Sequence, residues 1–301
     1  MQSERRTGSD MVGTGKAMAG DALPPWPDEW PAPRPKLWMV LNAGYLSILT
    51  LLACGLGSWA LLSGQPGPAA FLLGGGVYLG LGTSLCFSLL RTRRRVSPKA
   101  ITLRVTGSGE DGVLVAYASW LYRCLAAIML LTFLVFTGSA LSGLAGWVVP
   151  PFATPPNALS TGIFITAGLY FLWIVIDIAS GRLARGRVVL GPHGIYHRSV
   201  TFEHFAPWDT VHTVAAEDVG SPLVVAKAFP SDHSRVRRTS RVGKQQEFQM
   251  LPYVAVRGRS LAVDPAVLYH ALRYYHAHPE ARAELTTEAG LHRIRGGNLL
   301  G

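Results

Sequence analysis

The stretch NALSTGIFITAGLYFLWIVIDIASGRLARGRVVLGPHGIYHRSV, residues 157–200, decides the reading of this chain. Residues 157–179 are almost wholly apolar, with Asp177 as the single acid near their end. Such a run suffices to cross a hydrocarbon core about 30 Å thick, which takes about 20 residues of helix. Arg182, Arg185 and Arg187 follow at once. The hydrophobic period then shortens to that of strands: RVVL (187–190), the turn GPHG, and IYHRSV (195–200) form a hairpin pattern. Within this one stretch the chain passes from a membrane span, across a basic boundary, into a β domain.

Working outward, three more segments have the same length and composition: Met39 to Leu62, Ala69 to Leu90, and about Cys124 to Val149. None of the four contains Lys or Arg. The chain is 49% hydrophobic and 15% charged, against about 25% charged in soluble domains. The deficit falls in two blocks, 39–90 and 124–179, and the mean hydropathy is +0.25.

The connections set the orientation. The loops SGQPGP and VPPFATPP carry no charge, whereas Arg91, Arg93, Arg94 and Arg95 follow the second span. The 28 basic residues divide into five in 1–37, seven in 91–123 and sixteen after 180. Basic residues hold loops on the cytoplasmic side, so both termini and the middle loop are expected in the cytoplasm, in a bacterial inner membrane. Trp38, Trp120, Tyr122 and Trp147 stand near the predicted boundaries, where aromatic rings suit the headgroup layer.

The spans carry small residues at packing spacing: Gly76 and Gly80 in the second, Ser139 and Gly143 in the third. Helix association in lipid rests on close backbone approach. Packing of the four helices within one chain is the main expectation, and a homo-oligomer seam is the competing one. Asp177 is expected to be a structural acid at the interface, reaching water or pairing with Arg182 or Arg185. A transporter or channel subunit, with Asp177 as a working part, is the alternative, but polar residues near mid-membrane are few. Cys54, Cys86 and Cys124 lie in or beside the spans and form no CxxC pair, so small buried residues are expected in place of a disulfide framework or zinc knuckle.

Residues 1–37 read as a disordered Pro-rich tail, without a secretory signal before the first apolar run. In LPPWPDEWPAPRPKLW (23–38) the prolines favour polyproline II over helix. Trp26 and Trp30 are expected to lead the chain toward the membrane surface, with docking on a partner as the other reading. Residues 38–90 hold the first two spans, and 91–123 form a basic loop. In that loop ITLRV (101–105), a Gly-rich turn and GVLVAY (112–117) predict a hairpin. An isolated hairpin is marginal in water, so it should pack on something, most naturally the C-terminal domain. Residues 124–179 hold spans three and four, 180–278 the soluble domain, and 279–301 a short helix and polar tail.

Within 180–278 the strand signals continue through WDTVHTVAA (208–216), SPLVVAKAF (221–229), FQMLPYVAVR (248–257) and SLAV (260–263). Asp264 and Pro265 form a helix start as N-cap and first helical residue. Val267, Leu268, Ala271, Leu272 and Tyr275 then share one face of a helix ending near Pro279. Short antiparallel strands followed by one amphipathic helix predict an α+β domain, a small sandwich or barrel plugged by that helix. The run RVVLGPHGIYHRSVTFEHFAPWDTVHTV (187–214) resembles bacterial membrane-anchored proteins with a pleckstrin-homology-like (PH-like) domain, including the YcxB-like kind. The resemblance rests on Leu190, Gly194, Ile195, Tyr196, Trp208, Asp209 and Val211 and covers about residues 186–276. It implies a recognition or scaffold module and brings no catalytic residues with it. The polar segment near 230–247 departs from the pattern.

That polar segment holds the sharpest local feature, SRVRRTSRVGK, with Arg235, Arg237, Arg238, Arg241 and Lys244 close together. Near an anionic leaflet a basic residue gains about 1 kcal/mol, and arginine grips phosphate through two hydrogen bonds. Together with Arg91, Arg93, Arg94 and Arg95 this cluster is the candidate site for anionic lipid headgroups, with a flexible solvated loop as the plain alternative. A cytoplasmic protein partner is the other expected ligand. Nucleic acid is not expected, because no aromatic residue interleaves the cluster before Phe248.

All nine histidines follow residue 190. No pair has a third ligand at metal-site spacing, so scattered surface histidines are expected, with no metal and no cofactor. GTGKAMAG (13–20) lacks the spacing and the Ser or Thr of a phosphate loop. Glu217 and Asp218, adjacent in a strand, would point to opposite faces. No enzymatic activity is expected.

Overall fold

The computed structural model describes residues 24–91, 99–104, 111–147, 156–243 and 246–300. Four helices in it are long and apolar enough to cross a membrane: α1 (Leu37–Leu62), α2 (Pro66–Leu90), α3 (Ser119–Ala145) and α4 (Ala158–Ala179). Pro66 opens α2, at a position where its missing N–H costs nothing. Asn157 caps α4, its side chain accepting from Ser160 N–H at 2.9 Å. The third span needs correction from 124–149. It starts at Ser119 and stops at Ala145, because Gly146 takes a left-handed conformation (φ 69°) that ends the helix.

The helices pack as two hairpins, α1 with α2 and α3 with α4, and α2 bridges to α3. The bridge includes a hydrogen bond from Trp120 Nε1 to Ser84 Oγ, 2.7 Å long. Small residues bring the hairpin arms together. A Cβ on Gly76 would lie 2.7 Å from Cys54 Sγ, one on Gly80 3.6 Å from Thr50 Cγ2, and one on Gly143 2.1 Å from Thr161 Oγ1. Ser139 is half-buried, and its carbonyl accepts from Ser142 Oγ at 3.0 Å. The three glycines therefore face neighbours in their own chain.

The rest of the described chain forms two antiparallel sheets and three further helices. The strands are β1 (Ile101–Arg104), β2 (Gly112–Ala116), β3 (Arg187–Leu190), β4 (Gly194–Arg198), β5 (Phe202–Pro207), β6 (Val211–Asp218), β7 (Pro222–Ala228), β8 (Arg235–Arg238) and β9 (Val254–Arg257). The helices are α5 (Gln246–Gln249), α6 (Pro265–Ala277) and α7 (Glu288–Gly296). One sheet has six strands in the order β1-β2-β3-β4-β5-β8, and the other has three in the order β6-β7-β9. One core collects side chains from both sheets, α6 and α7. Asp264 caps α6 through Ala266 N–H at 2.9 Å, and the predicted apolar face of that helix is buried.

The hairpin between spans two and three joins this domain. β2 pairs with β3, setting Val115 opposite Val188 and Leu114 opposite Val189. Beyond it, Ala118 N–H donates to Ser260 O at 2.8 Å and α3 begins. The segment 248–257 is a strand only in its second part, since α5 and a turn come first. β5 and β8 were not expected as strands.

Two boundaries need correction. Residues 24–30 of the supposed disordered tail pack against the domain, and Trp30 is only 3% exposed among its buried side chains. The segment 279–300 is no polar tail, because Leu285, Leu291, Ile294 and Leu299 are buried in the same core. Arg293 donates to Glu284 within the segment at 2.5 Å, and Arg295 fastens it to β1 by donating to Ile101 O at 2.7 Å. The domain thus draws on three stretches of sequence interleaved with the helices.

Candidate functional site

Arg235–Arg238 of the basic cluster form β8, one edge of the six-stranded sheet. β8 sets Arg235 opposite Phe205, Arg237 opposite Glu203 and Arg238 opposite Phe202, and all four of its residues are exposed. Expectation had this segment as a loop, because its valine is flanked by charges that hide the strand's alternation. Edge strands commonly carry such charges, which discourage pairing with another chain. Glu203 is engaged by Arg198 from the neighbouring strand. Arg238 donates from Nε to Ser240 O at 3.0 Å and lies over the Phe248 ring at 5.6 Å. Lys244 lies outside the described residues.

Just past β8 the chain fastens onto the end of α4. Thr239 Oγ1 donates to Arg182 O at 2.8 Å, and Ser240 Oγ donates to Asp177 Oδ2 at 2.6 Å. Asp177 is buried and stands 3.6 Å from Arg182 Nη1. The acid in the fourth span therefore serves as the anchor of the basic edge. Arg241, exposed, follows immediately.

Other basic residues gather at this same end of the helices. Arg91, the C-cap of α2, is exposed, while Arg93, Arg94 and Arg95 lie outside the described residues. Arg123 is the fifth residue of α3, its guanidinium 5.7 Å from the Trp120 ring centre. Lys36 is the N-cap of α1, and Arg259 reaches Met39 Sδ at 3.6 Å. Each of the four helices thus has a basic residue at or near its domain-side end: Lys36, Arg91, Arg123 and Arg182. The pairing of Arg182 with Asp177 is as expected, whereas the roles of Arg123 and Arg259 were missed in the sequence. The only available signal was their distance from a span boundary, and Arg259 lies far from one in sequence.

Beneath the basic edge lies a buried polar cluster. Tyr117 OH and His197 Nε2 are 2.8 Å apart, and His197 is paired across the sheet with His204. Ser199 Oγ donates to Glu247 Oε2 at 2.6 Å, and Arg257 Nε stands 3.4 Å from Glu247 Oε1. Phe202 sets its ring edgewise to His197 at 5.7 Å and to Phe248 at 5.5 Å. Burial raises the Tyr117 hydroxyl well above its ordinary value, helped by the Glu247 carboxylate. Burial likewise lowers His197 to about 3, with His204 adding to the effect, and lowers His204 itself to about 4. The Glu247 carboxyl is raised by burial against the opposing pull of Ser199 and Arg257.

The expectation of surface histidines is corrected here: His197 and His204 are both 1% exposed. Among the described residues, His197 Nδ1 and both nitrogens of His204 have no hydrogen-bond partner. The alternation of β5 buries Phe202, His204 and Ala206 on one face, and a histidine in that pattern reads as polar until the strand is known. Among the described residues no three His, Cys, Asp or Glu converge on a metal position. The cluster joins Tyr117 before α3, the β4–β5 hairpin, α5 and the end of β9, and so fixes the domain against the start of a helix.

At the far end of β4 a cavity of about 140 Å³ is lined by Asp111, Pro192, His193, Tyr196 and Phe205, among others. Ligand pockets usually run from about 300 Å³ upward, so the basic surface at the helix ends is the better candidate. In comparisons with protein-family models, curated proteins and solved structures, nothing matches this chain.

Proposed function

We propose that this chain is a multi-span protein of the bacterial inner membrane, with both termini in the cytoplasm, which displays a PH-like recognition domain against the membrane surface. Its function in this reading is non-enzymatic: the basic residues at the helix ends engage anionic phospholipid headgroups and hold the domain in a set orientation as a scaffold. The observation that carries the proposal is the fastening of the basic edge to the end of α4, through Thr239 to Arg182 O and Ser240 to Asp177. That contact sets Arg241 beside Arg182 at the foot of a helix apolar enough to span lipid. The PH-like reading is supported by the second sheet, β6-β7-β9, standing beside β3-β4-β5 and followed by α6.

The test uses the full chain, because β1 and β2 belong to the domain's sheet and residues 24–30 pack on it. Thermal unfolding is measured in nanodiscs of phosphatidylcholine and of a mixture with phosphatidylglycerol, at low and high salt. A ligand that binds the folded state raises Tm by mass action, and salt screens exposed charges. The wild type is expected to gain stability in anionic lipid and to lose the gain in salt. The variant Arg91→Gln, Arg182→Gln, Arg241→Gln should lose about 1 kcal/mol per arginine of that gain. Equal Tm in the two lipids would defeat headgroup recognition and turn attention to a cytoplasmic protein partner.

A further inference from the structure

Residues 24–36 reach the domain without joining a sheet. Pro24, Pro27 and Trp30 are buried, Trp26 is half-buried, and Pro25, Asp28 and Glu29 are exposed. A period of three is that of a polyproline II ligand laid on a protein surface. A turn closes the segment, with Trp30 N–H donating to Pro27 O at 3.2 Å. Trp30 then enters the domain. Its Nε1 donates to Leu223 O at 3.3 Å, its ring lies 5.8 Å from Tyr269, and the Trp26 ring lies tilted against it at 4.8 Å. His270 Nε2 and Pro25 O are 2.8 Å apart. From Pro31 to Lys36 every residue is exposed, and α1 starts at Leu37.

We propose that the groove between β7 and the first half of α6 is a binding site for a Pro-rich segment with a tryptophan anchor, occupied in cis by residues 24–30 and able to take the same segment in trans. Three features separate a docked ligand from ordinary core. The segment makes no strand pairing, so its departure breaks no sheet. Trp30 is its largest buried side chain, with Pro24 and Pro27 buried before it, as in peptide recognition, where a buried tryptophan carries much of the binding energy. It is tied to α1 by an exposed tether, and it therefore couples the position of that helix to the domain. The tether keeps the cis segment at an effective concentration near the millimolar range, which a free peptide must overcome.

The experiment uses the full chain in detergent micelles and a fluorescent peptide with the sequence of residues 24–33. The variant Trp26→Ala, Trp30→Ala vacates the groove, and retention of its near-ultraviolet circular dichroism confirms that the domain is folded. The peptide is expected to bind this variant saturably and the wild type much more weakly. A peptide carrying the Trp30→Ala change should bind at least about 30-fold more weakly, the usual loss at an interface hot spot. No binding to the folded variant, or equal binding to variant and wild type, overturns the proposal. If the variant does not fold, a protease site inserted between Ala32 and Pro33 of the wild type decides the matter. After cleavage the released segment must exchange with labelled peptide. A segment that never exchanges, or a domain that unfolds when it leaves, shows the strap to be core.

Discussion

Leu62, Leu144 and Leu159 in the helices keep most of their surface uncovered by the chain, whereas Val224, Leu268 and Tyr275 in the domain are wholly enclosed. Both regions are apolar in composition, yet only the domain buries its apolar side chains in itself. In each helix no more than 17% of the most apolar window is buried, so lipid must cover the rest. The arms of each hairpin meet where glycine admits a neighbour, as Gly143 does for Thr161. The domain is held by the hydrophobic effect, which lipid-covered helices cannot use. The same amino acid thus has different worth in the two regions.

The largest effect should come from a domain side chain. Phe202, 1% exposed, contacts His197 and Phe248. Phe202→Ala is expected to cost about 3–5 kcal/mol, measured by denaturant unfolding of the full chain in micelles with near-ultraviolet circular dichroism. A loss below about 1 kcal/mol would mean that this end of the core is loosely packed.

Acid should act next, and on the domain alone. His197 and His204 have folded values of about 3 and about 4, below the ordinary 6.5. The stability they contribute is therefore complete above pH 6.5 and is lost as pH falls through the window down to about 4 and 3. By pH 5 each should cost roughly 2 kcal/mol. His197→Gln, His204→Gln should flatten the fall in Tm between pH 7 and pH 5, and an unchanged slope would mean that other groups carry it.

In the helices the sensitive positions are the close approaches. Gly143→Leu must displace Thr161, whose Oγ1 would be 2.1 Å from the new Cβ. Overpacking of this kind costs about 1–3 kcal/mol, seen as a lowered Tm in nanodiscs. Gly138, with nothing near its Cβ position, should accept the same change. The smallest effect belongs to Leu141→Ala on an exposed helix face, expected within about 0.5 kcal/mol. If it matched Phe202→Ala, Leu141 would have to face another protein surface in place of lipid.

What could be read from sequence was local. The four apolar runs, the β3–β4 hairpin and the Asp264–Pro265 start of α6 each carry their signal within a few residues. The third span was misplaced because Gly146 looked like one more small residue in a run of them, and its left-handed conformation is a backbone property. β5 and β8 were missed because His204 stands at an inward position and arginines crowd an edge, so apolar alternation fails in both. Of the candidate basic site, the arginines themselves were legible and their fastening to α4 was not.

The chain by itself determined how many apolar helices it makes, on which side their basic residues gather, and that strands ending in an amphipathic helix follow them. Length, charge and periodicity act over neighbouring residues, and no partner is needed to express them. Only the tertiary structure decided that the hairpin between spans two and three extends the sheet, that Trp30 is buried against β7 and α6, and that Asp177 anchors Ser240. Each of these joins residues far apart in the chain, and burial depends on what the fold brings opposite. A tryptophan among prolines or an aspartate at a helix end is the same residue either way; the groove or hydroxyl facing it settles its role.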